Sequence, residues 1–292
     1  MSIFESIILG ILQGIAEFLP ISSSGHLQIA QKLFGLSDVP VLFDVFLHLA
    51  TLVAVCLYFY RQIWDLLCAF GRMIARRPAP KTEGLSDEEC NLREKSRRRY
   101  ILAIILTTIV TGVIGVINSS FIEDLSIKFV CAGFIVTAVL LVISSLIEKS
   151  RALKTQEACK NNTAEASYNK VPSVMQSLII GVAQGCGTLP GISRSGATIA
   201  GSLFCGVDRG TAGEFSFIVS IPAILGAFIL ELKDIGQVAS NIGAECVIAG
   251  CAAACFAGYL SLTFLMKMIK KGNLQWFALY LLPLGILGLI FF

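Results

Sequence analysis

Apolar residues in this chain run in long unbroken stretches rather than at the three-to-four spacing of soluble helices. Six of them, at 43–60, 101–118, 126–147, 214–230, 243–266 and 274–292, are long enough to cross a hydrocarbon layer of about 30 Å. Two more, at 3–19 and 173–189, behave differently. Each is cut by a proline (Pro20 or Pro190), then by a serine cluster and a glycine, and a second short apolar piece follows at 27–36 or 197–207. Broken runs of this length predict re-entrant helix pairs rather than full spans. The expected fold is therefore an all-α polytopic membrane protein with six full spans and two re-entrant helix hairpins. A signal peptide describes the first run poorly, because it lacks a basic leader and Glu17 interrupts it.

The two broken runs are copies of one another. Gly10–Gly25 and Gly181–Gly196 align without a gap at an offset of 171 residues. Gly10/Gly181, Gln13/Gln184, Gly14/Gly185, Ile21/Ile192, Ser22/Ser193, Ser24/Ser195 and Gly25/Gly196 are identical. A single membrane domain, 1–292, thus divides into repeat halves at 1–150 and 172–292.

Charge gives the orientation. Residues 61–100 carry Arg72, Arg76, Arg77, Lys81 and a dense run from Arg93 to Arg99, so this segment is expected in the cytoplasm. Residues 148–171 and 267–271 are also rich in lysine, whereas 119–125 carries Glu123 and Asp124 and no basic residue, and should face outward. The first hairpin then enters from outside. Three full spans separate it from the second, which enters from the cytoplasmic face, so the halves are related by inverted topology. Such repeats place a site between broken helices near mid-membrane.

Composition agrees, at 55% hydrophobic residues and a mean hydropathy of +0.77. The net charge of +3 resides in the cytoplasmic loops and implies no nucleic-acid partner. Cys56, Cys131, Cys205, Cys246, Cys251 and Cys255 lie in apolar runs without a CxxC pair, and read as small hydrophobes rather than zinc ligands or disulfides. Residues 78–99 read as a mixed-charge loop with some helix, and 154–170 as a polar linker.

Candidate chemistry is concentrated in the copies. Gln13 and Glu17 are four apart and share a helix face; Ser22, Ser23, Ser24 and Gly25 follow the break, and His26 opens the next helix. The second copy reads Ser193-Arg194-Ser195-Gly196-Ala197-Thr198. Serine and glycine ahead of a helix leave amides pointing at one spot, which suits an anion, and Arg194 adds a fork for phosphate oxygens. Glu17 can hold a divalent cation or accept a proton. The Gly10/Gly14 and Gly181/Gly185 pairs read as close helix packing. Asp44 and His48, one turn apart, either pair with each other or border the site.

The segment from Gln13 to His26 resembles the first signature of the undecaprenyl-diphosphate phosphatase (bacitracin-resistance) family, an (E/Q)xxxE run followed by a serine cluster and a histidine. Pro190–Thr198 resembles its second, PGxSRSxxT, and size and plan extend the likeness over essentially the whole chain. The resemblance implies hydrolysis of undecaprenyl diphosphate to the monophosphate, which returns the carrier to peptidoglycan synthesis and confers bacitracin resistance. It implies a bacterial inner-membrane location with the active site facing outward, a polyprenyl diphosphate substrate and a divalent cation, Mg²⁺ or Ca²⁺. By position, Glu17 corresponds to the family's essential acid, a metal ligand or base. Ser23 and His26 correspond to its candidate nucleophile or acid/base groups, and Arg194 to its phosphate clamp. Gln13, Ser22, Ser24, Ser193, Ser195 and Thr198 correspond to substrate contacts. Gln13 stands where many relatives have glutamate, so Glu17 must carry the charge. The nucleophile stays open between Ser23, His26 and water, and the oligomeric state between monomer and homodimer. A flippase or transporter of a phosphorylated polyprenyl lipid is the alternative class. A type-2 phosphatidic acid phosphatase is excluded because no histidine follows Arg194.

Overall fold

The computed structural model describes residues 1–36, 39, 41–81, 86–122, 125–160, 171–231 and 242–292, and the regular elements among them are helices. The first broken run forms α1 (Ile3–Phe18) and α2 (Ser23–Leu33), and the second forms α7 (Val174–Cys186) and α8 (Arg194–Phe204). Both open on the same device. The Ser2 hydroxyl accepts from the Glu5 amide while the Glu5 side chain accepts from the Ser2 amide, and Ser173 with Gln176 does the same. The repeat therefore extends to its caps. Each leading helix ends within four positions of its proline, and the trailing helix packs back on it.

Between the hairpins lie α3 (Val41–Tyr58), α4 (Tyr60–Ile74), α5 (Asp87–Ile122) and α6 (Ile127–Lys160). After the second come α9 (Arg209–Glu231), α10 (Ala244–Lys271) and α11 (Trp276–Phe291). Among the described residues α5, α6, α9 and α10 are each long and apolar enough to cross a membrane. α3 reaches that standard only together with α4, from which it is bent by 86°. α11 is apolar but has 16 residues, a rise of about 24 Å. The expected count of six spans thus resolves into four such helices, or five with the bent pair. The chain is an all-helical, multi-pass membrane protein. Leu102, Ile105, Ile109, Val113, Val116 and Ile117 of α5 are exposed, as a lipid-facing surface requires.

Residues 78–99, expected as a loop with some helix, are helical from Asp87, and the expected linker 154–170 is helical at its start. α5 begins at Asp87, well inside the expected 78–99 loop, because Ser86 and Glu89 cap each other and Arg72 of α4 grips Glu94 at 2.8 Å. α6 continues to Lys160, into the expected linker. The remainder of that linker, residues 161–170, and the pair Glu123 and Asp124, expected to face outward, lie outside the described residues.

Packing crosses between the halves. α1 lies along α10, α7 along α5, α3 along α9, and α6 along α11. The glycine pairs make this possible. A Cβ on Gly14 would stand 2.6 Å from the Ala254 carbonyl oxygen of α10, and one on Gly185 would stand 2.6 Å from the Ile114 side chain of α5. Hydroxyls and an amide then bond across the close backbones. Thr107, Thr111 and Asn118 of α5 donate to the carbonyls of Ser177, Gly181 and Gly185, and Ser261 of α10 donates to that of Ile15. In lipid, where water cannot substitute, such bonds fix the register of the short helices.

Candidate active site

Glu17, on the last turn of α1, is the point where the two hairpins meet. It is 7% exposed, and both carboxylate oxygens are engaged. One accepts from the Arg194 guanidinium at the first residue of α8. The other accepts from the Gln13 amide at 2.9 Å and from the Ser23 hydroxyl at 2.7 Å. Residues 177 positions apart in sequence are thereby brought into one cluster. A narrow pocket opens beside it, lined by Glu17, Arg194, Ser195, Thr51 of α3, and Ser216 and Ser220 of α9, with Phe18, Phe217 and Ile224 as apolar wall.

The breaks shape the two tips differently. Ser22 sits at φ 69°, in the left-handed region, and caps α2 with no side-chain bond. The Ser22 side chain therefore leaves the first-turn amides of α2 uncapped. The Ser22 carbonyl is held by the His26 ring, whose Nδ1 lies 2.8 Å away and donates to it. His26 Nε2 then accepts from the Tyr280 hydroxyl at 2.8 Å, with the two rings stacked. Both ring nitrogens are occupied, and His26 is not brought to Glu17. Ser24 lies against Ser22, their hydroxyl oxygens 3.5 Å apart.

On the second tip, the Ser193 hydroxyl accepts from the Gly196 amide at 3.1 Å while its own amide donates to Thr137 of α6 at 3.0 Å. Ser195 lies 3.2 Å from the Ser193 hydroxyl and lines the pocket. Thr198 donates back to the Arg194 carbonyl at 2.7 Å, so its hydroxyl serves the helix. Gly191, at φ 89°, lies so close to the Val130 carbonyl of α6 that no Cβ fits. At the other end of α8, Arg151 donates to the carbonyls of Leu203 and Phe204, both at 2.6 Å. Arg194 is thus presented from a helix anchored at both ends.

Of the pair left open by the sequence, Asp44 accepts from Gln31 at 2.8 Å, and His48 borders the site, its Nε2 3.4 Å from the Glu17 oxygen that Ser23 touches. Thr51, Ser216, Ser220 and Tyr280 gave no sequence signal, because a single hydroxyl in a span looks like any other helix-compatible residue.

The residues present fit a divalent cation that substrate oxygens complete. The Gln13 carbonyl oxygen is buried without a partner beside the Glu17 carboxylate, a hard-oxygen pair of the kind such ions take. Among the described residues no cluster of three His, Cys, Asp or Glu side chains forms a closed cage, so phosphate would supply the remaining ligands, as is usual for Mg²⁺.

Fold and cluster define a polytopic membrane protein with a polar, anion-suited site built where two helix hairpins meet. The model of the bacitracin resistance protein BacA family matches residues 6–287, and the chain belongs to that family. It is 46% identical over 286 residues to the undecaprenyl-diphosphatase of Treponema denticola, covering 98% of this chain and 96% of the relative. It is 38% identical to that of Methanobrevibacter smithii over 98% of this chain and 96% of the relative. With the Methanosphaera stadtmanae protein of the same name the figures are 37%, 99% and 98%.

Proposed function

We propose that this chain hydrolyses undecaprenyl diphosphate to undecaprenyl phosphate and inorganic phosphate. The activity returns the lipid carrier to cell-wall synthesis and underlies bacitracin resistance. One observation carries the reading: a carboxylate that holds a serine hydroxyl on one oxygen and an arginine on the other, in a chain whose relatives bear the name of that activity.

The finer architecture is a six-span inverted repeat, halves 1–150 and 172–292, with both hairpins re-entrant. Shared capping boxes and the exchange of packing partners, α1 on α10 and α7 on α5, support it. We place the protein in the bacterial inner membrane with its site facing outward. The polyprenyl tail lies against the spans, and the diphosphate enters between the hairpin tips. A homodimer is an extension of this reading.

Arg194 rests on Glu17. The diphosphate takes over the guanidinium, which forks onto two phosphate oxygens and neutralises charge on the transferred group. Amides at the start of α2 face the same charge. Glu17, relieved of Arg194, accepts the proton of Ser23, which it already holds at 2.7 Å. The Ser23 oxygen attacks the terminal phosphorus, the bond to the lipid phosphate breaks, and water later releases phosphate from the serine. A divalent cation at Glu17 and Gln13 would supply Lewis-acid stabilisation of the phosphoryl oxygens. His26, with both nitrogens engaged, holds the Ser22 turn rather than moving protons.

Ser23→Ala should lower phosphate release from polyprenyl diphosphate by roughly 10²-fold or more, measured on purified protein in detergent micelles. Retention of wild-type rate would remove Ser23 from the reaction and leave water as the nucleophile. The same assay on the wild-type protein tests the function itself: a transporter leaves the diphosphate intact.

A further inference from the structure

His48 of α3 borders the cluster, and the reaction above does not use it. Its Nδ1 lies 2.7 Å from the Asp44 carbonyl oxygen, an atom that can only accept, so the ring proton is on Nδ1. The lone pair of Nε2 then faces the Glu17 carboxylate oxygen at 3.4 Å. Two acceptors at that separation need a positive charge between them: a second proton on the ring, or a metal ion. Donors sharing one ion at bond lengths of about 2.1 Å stand roughly 3 to 3.5 Å apart. A ring fixed through its other nitrogen by a backbone carbonyl is the usual posture of a metal-ligating histidine. The Gln13 carbonyl oxygen, buried and without a partner, is a third donor beside the same carboxylate.

We propose that His48 Nε2 ligates the cation together with Glu17 and Gln13, giving the site a mixed nitrogen–oxygen set. Mn²⁺ takes the same carboxylate and carbonyl oxygens as Mg²⁺ and Ca²⁺, so it serves as the spectroscopic probe of this ligand set. The inference rests on the reading of Glu17 as the cation-holding centre of the phosphatase.

The test is pulsed EPR on the full-length protein in detergent with Mn²⁺ and inorganic phosphate. The wild-type protein should show bound Mn²⁺ with coupling to a directly ligated nitrogen. In His48→Gln the nitrogen coupling should disappear and Mn²⁺ affinity should fall at least tenfold. Bound Mn²⁺ without nitrogen coupling, coupling that survives in His48→Gln, or no bound Mn²⁺ would each overturn the proposal. The first of these leaves a protonated His48 paired with Glu17. The wild-type spectrum decides even if the variant does not fold. Phosphate release measured on the same sample separates the readings, since release without a nitrogen signal removes His48 as a ligand and leaves the phosphatase standing.

Discussion

Arg194→Ala is expected to lower phosphate release from polyprenyl diphosphate by about 10³-fold, with the protein still folded in the membrane. The size follows from what the guanidinium does. It is the only described basic side chain within reach of Glu17 other than His48, and charge on the transferred phosphoryl group must be met by fixed positive groups where water is scarce. Folding should survive because α8 is anchored elsewhere, by Ser193 on Thr137 and by Arg151 on the last carbonyls. Arg194→Lys should recover only part of the loss, since an ammonium cannot fork onto two oxygens. Steady-state phosphate release, read beside a thermal melt, checks the prediction, and a rate within a few-fold of wild type would sink it.

Gly191→Ala should have the largest effect on stability. The residue has φ 89°, and its missing side chain lets the tip of the second hairpin rest on the Val130 carbonyl of α6. An alanine meets two costs at once: left-handed backbone strain of about 1 kcal/mol and overpacking of about 1–3 kcal/mol. The facing atoms are backbone, which cannot step aside. Thr137, which receives the Ser193 amide and also approaches the Gly191 carbonyl, is displaced in the same move. The expected result is a large drop in the melting temperature in detergent, together with a loss of activity as Arg194 leaves Glu17. An unchanged melt would show that the tip is not held as described.

Much of this was legible in the chain, and for identifiable reasons. The two breaks could be read because a proline followed by a serine cluster cannot continue a helix, and the copied spacing put Glu17 and Arg194 at matching tips. The capping boxes at Ser2/Glu5 and Ser173/Gln176 were equally readable, being the same S-x-x-E/Q pattern at the same offset. The helical extent of residues 87–99 was harder, because its support comes from Arg72 on another helix. At the site, identity could be read but orientation could not. His26 lies next to the serines in sequence, yet its Nε2 bonds Tyr280, 254 positions away. His48, in a span, faces the carboxylate only because α3 packs against α1. Thr51, Ser216 and Ser220 become pocket residues through the pairing of α3 with α9, which no local pattern announces.

The central claim is that the two hairpin tips form one catalytic unit. A double-mutant cycle on phosphate release from polyprenyl diphosphate tests it most directly, using Glu17→Gln, Arg194→Gln and the double variant. Groups that act together are not additive, so the account predicts a double variant about as slow as the slower single one. Penalties that multiply across the two positions would contradict it, and would mean that Glu17 and Arg194 contribute independently.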